Sequence, residues 1–152
     1  MFSDQDRSYM RMALNEAQLS FDHNEVPIGG VLIDSKTMEI IHRSHNKVNK
    51  EKNAMHHCEI DLIMHSCKAL SRKYLHDTVM FVTLEPCLMC ASAISEVHID
   101  KLYFGAYDNK NGGIENFKFQ FKREHAFKTD IYGGIMENDC KALIEKFFKR
   151  LR

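Results

Sequence analysis

The sequence predicts an α/β protein, a three-layer α/β/α sandwich around one mixed sheet. Three observations carry this. Two strand-like runs near the N-terminus are separated by a short polar turn, so they pair as an antiparallel hairpin. After them, buried-strand runs alternate with helical periodicity, the order that places helices on both faces of one sheet. The spacing across residues 78–106 admits one crossover helix, which makes the flanking strands a parallel pair. At 152 residues the chain is the size of about one domain, and a single domain over residues 1–152 is expected.

The elements follow in order. Ser3 suits the cap of a helix over residues 3–20: Asp4 and Asp6 complement its positive end, and Met10, Leu14 and Ala17 share a face. Residues 26–34 read as a strand and 38–44 as its hairpin partner, with a turn at Asp34-Ser35-Lys36. Residues 57–70 are helical, with Ile60, Ile63, Met64, Cys67 and Leu70 on the apolar side. Residues 78–84 form a short buried strand. Pro86 suits a helix beginning, and residues 88–97 are that helix. Residues 101–106 are the next strand, and 107–130 show no clear periodicity. Asn138 suits the cap of a last helix that runs to the C-terminus.

Composition narrows the function classes. The hydrophobic share is 44% and the charged share 28%, near the globular average, which excludes disordered and collagen-like chains. Lys+Arg and Asp+Glu number 21 each, so a whole-protein electrostatic grip on nucleic acid is not indicated and any such partner must meet a local patch. No apolar run approaches the roughly 18 residues of a membrane span, so no membrane is expected as a partner. The first residues lack the basic-then-apolar order of a secretion signal. The five cysteines, an odd number without such a signal, argue against a disulfide framework. A cytoplasmic protein is expected, in which clustered Cys and His point to metal or catalysis.

Two segments carry that cluster: His57-Cys58-Glu59 and Pro86-Cys87-Leu88-Met89-Cys90. Together they fit H-x-E … P-C-x-x-C, the pattern of zinc nucleobase deaminases. A C-x-x-C at a helix start brings two sulfurs to one side of the first turn, and the partly positive helix end favours thiolate. His57 is the third ligand of a Zn2+ site, one ion per subunit. Three protein ligands are the catalytic pattern, with the fourth position open to solvent. Glu59 is the proton shuttle between water, ring nitrogen and leaving ammonia. On an ideal helix residues 57 and 59 lie about 200° apart, so they converge only if the helix begins there. The H-x-E offset selects His57 over the adjacent His56, and Cys58, Cys67 and Cys140 read as small buried hydrophobes.

At these residues the sequence resembles the cytidine-deaminase-like superfamily, and within it the bacterial tRNA-specific adenosine deaminases. The resemblance also covers Glu25-Val26-Pro27-Ile28-Gly29, Thr83-Leu84-Glu85-Pro86-Cys87-Leu88-Met89-Cys90-Ala91, Phe104-Gly105-Ala106 and the ending from Asp139-Cys140 to Arg150. It implies a cytidine-deaminase-like fold, hydrolytic conversion of adenosine to inosine at the wobble position, an anticodon stem-loop of tRNA as partner, and a homodimer. It further implies that Asn46 hydrogen-bonds the base and that Asp108 lies beside the anticodon nucleotides. The sequence departs from the family at Cys58, where Ala is usual, at Tyr107, at Gly113-Ile114-Glu115-Asn116 and at Ala126-Phe127, all on the expected substrate side.

Charge is uneven along the chain: residues 109–152 carry a net +4 and residues 1–108 a net −4. Lys118, Lys122, Arg123, Lys128, Lys146, Lys149, Arg150 and Arg152 are candidates to track phosphates, and Phe117, Phe119, Phe121 and Phe127 to stack on unstacked bases. Three other readings compete. A thiol oxidoreductase also places C-x-x-C after a strand, but no proline follows Pro86 and the upstream H-x-E is not needed. A structural zinc module needs a fourth ligand, and no second C-x-x-C supplies it. A deaminase of a free nucleobase or nucleoside, guanine or cytosine type, shares the chemistry and differs in having a closed pocket.

Overall fold

The computed structural model describes residues 1–115 and 126–152. A five-stranded sheet runs in the order β2-β1-β3-β4-β5. Its strands are β1 (Gly29–Asp34), β2 (Ile40–His45), β3 (Thr78–Leu84), β4 (Lys101–Ala106) and β5 (Asp130–Gly133). β1 is antiparallel to both β2 and β3, whereas β3, β4 and β5 are parallel, so the sheet is mixed. The expected parallel pair registers Val79 against Lys101 and Leu84 against Ala106.

Helices α1 (Asp4–Asp22) and α4 (Glu137–Arg150) lie on one face, α2 (Cys58–Leu70) and α3 (Leu88–Glu96) on the other. The alternation of strand side chains builds the two cores. Leu32, Met80, Val82, Leu102 and Phe104 point toward α2 and α3, where Leu62 and Ile94 meet them. Val31, Ile33, Val79, Phe81 and Ala106 point toward α1 and α4, where Met10, Ala13 and Cys140 meet them. Burying each such large side chain contributes about 1.5–3 kcal/mol. At Gly29 the strand runs so close to α1 that a Cβ would overlap the backbone of Ala13 and Ala17, which explains the glycine and the two fully buried alanines facing it.

Several boundaries differ from the sequence reading. β1 starts at Gly29, not at residue 26, because Ile28 N–H turns back to Val26 O at 2.8 Å. The hairpin turn is tied by Asp34 Oδ1, which accepts Lys36 N–H at 2.8 Å and Thr37 N–H at 2.9 Å. In α2 the buried side carries Glu59, Asp61, Leu62, Ile63 and Ser66, and Met64 points outward at 66% exposure. The helix is rotated from the apolar pattern because Asp61 finds its hydrogen-bond partners inward, Ser44 and His56 among them. Pro86 lies ahead of α3, whose cap is Cys87. α4 is capped by Met136 in the left-handed region (φ 51), so Asn138 falls inside the first turn. Gly134, at φ 91, makes that early entry possible, and its N–H and that of Ile135 both reach Phe104 O. Among the described residues no helix is long and apolar enough to cross a membrane.

Candidate metal centre and substrate cleft

The C-terminal ends of β3 and β4 open into a cleft of about 1000 Å³, the place where open α/β sheets bind ligands. His57 is not yet helical: as the N-cap of α2 it is extended (φ −72, ψ 153), and Glu59 follows in the first turn. This places both in the wall of the cleft. Cys87 occupies the equivalent position before α3, with Cys90 buried in the first turn.

His57 Nδ1 lies 3.7 Å from Cys87 Sγ and 3.5 Å from Cys90 Sγ. Tetrahedral zinc with usual N and S bonds separates its ligand atoms by about 3.6 Å. The three residues therefore fit one zinc ion, and His57, Cys87 and Cys90 form a group that could hold it. A hydrogen bond from Cys90, outweighing burial and joined by His57, pulls the Cys87 thiol down to about 4, while the same bond and burial push Cys90 up. Both cysteines must be deprotonated to bind a metal, and an incoming cation displaces their protons to water. Glu59 is 4% exposed, and burial lifts its carboxyl to about 7.

Asn46, just past β2, also lines the cleft. Its carboxamide oxygen accepts Cys58 N–H at 2.9 Å, and its backbone is fixed by Ser20 Oγ and Ile28 O. The amide nitrogen is the end left for a ligand. Cys58 itself is fully buried, with Sγ donating to Ser44 O at 3.3 Å, so it faces the core. Asp108 stands in the opposite wall, where its Oδ1 accepts Lys110 N–H at 3.1 Å and Asn111 N–H at 3.0 Å.

The sequence reading passed over Glu85. It is buried, and its carboxylate accepts N–H bonds from Asp108 (3.0 Å), Ile114 (3.2 Å) and Glu115 (2.8 Å). One side chain thus pins the loop that forms the cleft wall to the segment between β3 and the cysteines of α3. An ionisable residue directly before Pro86, at the end of a buried strand, was the available signal. Tyr107 joins the same wall and stacks edge-on with Phe104 at 5.0 Å.

The basic candidates separate. Arg150 is structural: its guanidinium lies 4.1 Å from the centre of the Phe21 ring and donates to Phe21 O and Asn24 Oδ1. Lys146 also sits over Phe21, at 5.4 Å. Arg152 lines the cleft, together with Lys110, Lys141 and Phe148. Lys118, Lys122, Arg123, Phe117, Phe119 and Phe121 lie outside the described residues.

Comparison with known proteins gives a consistent picture. Residues 3–106 match the family described as the cytidine and deoxycytidylate deaminase zinc-binding region. A tRNA-specific adenosine deaminase of Rickettsia felis is 42% identical over 144 residues, covering 94% of this chain and 100% of the relative. One of Bacillus subtilis is 37% identical over 150 residues, covering 97% and 91%. A solved structure from work on A-to-I editing by tRNA:A34 deaminases at the wobble position superposes with a TM-score of 0.84 at 36% identity, covering 90% of this chain and 98% of that one.

Proposed function

The chain belongs to the cytidine and deoxycytidylate deaminase zinc-binding family, and on that basis we propose that it hydrolyses adenosine to inosine at the wobble position of a tRNA anticodon. The observation that carries the reaction is the convergence of His57, Cys87 and Cys90 beside the buried carboxyl of Glu59 in one cleft. The adenosine in tRNA follows from the relatives that match nearly end to end.

His57, Cys87 and Cys90 hold the zinc, which when bound supplies a Lewis acid that makes water reactive near neutral pH. Glu59 takes a proton from water as the oxygen adds to C6 of adenine and passes it to N1; it then carries the proton of the new C6 hydroxyl to the amino group, and the C6–N bond breaks to release ammonia and leave the C6 carbonyl of inosine. In the metal-free protein burial lifts its carboxyl to about 7, the direction that favours holding a proton. Asn46 offers its amide nitrogen to the base. Asp108 keeps the loop turn that frames the flanking nucleotides, and Glu85 fixes that loop in place.

The protein works in the cytoplasm as a homodimer. Sedimentation of the purified protein tests this, and a monomer at assay concentration overturns it.

The direct test is a short anticodon stem-loop with adenosine at the wobble position. Inosine should appear there, with free adenosine, guanine and cytosine untouched. Turnover of a free base with no conversion of the stem-loop would reassign the enzyme to the nucleobase deaminases. RNA contact by the cleft rim gives a second expected result. Changing Lys110, Lys141 and Arg152 together to Ala should make the salt dependence of stem-loop binding shallower by about 0.7 per lost phosphate contact. An unchanged slope removes these three from the RNA path.

A further inference from the structure

A second donor cluster lies outside the cleft, between β2 and α2, and the deamination chemistry makes no use of it. At its centre is Asp61, whose side chain is only 2% exposed. Ser44 Oγ donates to Oδ2, and His56 Nε2 lies 2.8 Å from Oδ1, so the carboxylate is held in place from two sides. His42 on β2 brings Nε2 to 3.6 Å from Oδ2, and His65 on α2 brings Nδ1 to 3.3 Å from Oδ1. One ring nitrogen from each histidine and one carboxylate oxygen lie within 4.8 Å of one another.

We propose that His42, Asp61 and His65 form a second metal site, a two-imidazole, one-carboxylate set for Zn2+ or a divalent ion of like ligand preference. Imidazole and carboxylate are ordinary zinc donors, and three of them leave room for solvent to complete the shell. Asp61 and His65 are spaced i, i+4 on one helix face, and His42 reaches them from a paired strand, so the ligands sit on rigid elements. His56 supplies the supporting hydrogen bond that fixes a ligating carboxylate.

Two features of the cluster change on binding. The rings of His42 and His65 are stacked at 4.7 Å with planes 13° apart, so they must fan open to aim both lone pairs at one ion. His65, with a side chain 55% exposed, makes that turn by giving up the hydrogen bond that its Nδ1 donates to Asp61 O at 3.0 Å. Lys47 Nζ lies 3.4 Å from Asp61 Oδ2 and competes with a cation for the same oxygen. Its long side chain must swing away, which makes this site weaker than the cysteine centre.

The test titrates the zinc-loaded enzyme with Co2+. A second equivalent of metal should bind with visible cobalt bands and no thiolate charge-transfer band, and should raise the melting temperature, as a ligand of the native state does. His42→Gln with His65→Gln should abolish that equivalent while cysteine-bound zinc and stem-loop conversion stay unchanged. Lys47→Met should tighten it. Should the double variant fail to fold, His65→Gln alone gives the same reading, since that side chain is half in solvent. Saturation at the cysteine site alone, or a second equivalent that survives loss of His42 and His65, overturns the proposal.

Discussion

Glu59→Gln should lower turnover on the wobble stem-loop by about 10²–10⁴-fold, the range set by removing a positioned proton donor and acceptor. The variant keeps the volume of the side chain, so the buried wall beside His57 stays filled. Its amide can neither take the proton from water nor return one to the base. Zinc content should not change, because the fitting ligand set is His57, Cys87 and Cys90. KM should move little, because the lost interaction is with a proton in transit. A variant within tenfold of the parent in kcat, or one that loses its zinc, would remove Glu59 from the shuttle role.

The same side chain has an opposite effect on stability. Burial raises its carboxyl from 4.5 to about 7, so the folded protein disfavours the charge that water would accept. Such a group contributes stability fully below 4.5, and the contribution is lost as pH rises through 7. At about 1.4 kcal/mol per pKa unit, the ionised carboxylate costs roughly 3 kcal/mol at most. Glu59→Gln should therefore raise the melting temperature of the metal-free protein at pH 8 and leave it little changed at pH 5. Bound zinc, a nearby positive charge, should shrink the difference. A variant that melts lower at pH 8 would place Glu59 among the stabilising contacts.

The convergence of His57, Cys87 and Cys90 was legible because its geometry is local. The 57/59 offset demanded a helix start at that point, and His57 is the extended cap. The C-x-x-C demanded a helix start at Cys87, and the chain turns helical there. What escaped depends on distant partners or weak pattern. β5 is four residues long with three of them exposed, so it shows neither alternation nor an apolar run, and only pairing with β4 makes it a strand. Glu85 acts on residues 23 to 30 positions later, a relation no window along the chain contains. Arg150 looked like a phosphate contact by charge, and it is Phe21, 129 positions away, that claims it. Asp61 reversed the apolar pattern of α2 for the same reason, since its partners lie on β2 and before the helix.

Cys87→Ala should remove both the zinc and the part of the stability that zinc provides. Two ligands remain, and the loss of a direct ligand should weaken binding by more than the 10–100-fold typical of a supporting residue. At a fixed free zinc concentration, a 100-fold loss is about 2.7 kcal/mol of stabilisation from the bound ion. For a chain of this length that is a fall of about 5–10 °C in melting temperature. The decrease belongs to the ion and not to packing or capping, because Cys87 is only partly buried and its side chain makes no cap hydrogen bond that Ala would lose. In excess chelator the parent and Cys87→Ala should therefore melt within a few degrees of each other. Cys67→Ala is the control: this cysteine lies outside the cleft on α2, and its loss should leave zinc, turnover and the chelator response as in the parent. A Cys87→Ala protein that holds stoichiometric zinc and melts with the parent would show that the ion is held elsewhere, and with it the assignment of His57 and Cys90 would fall.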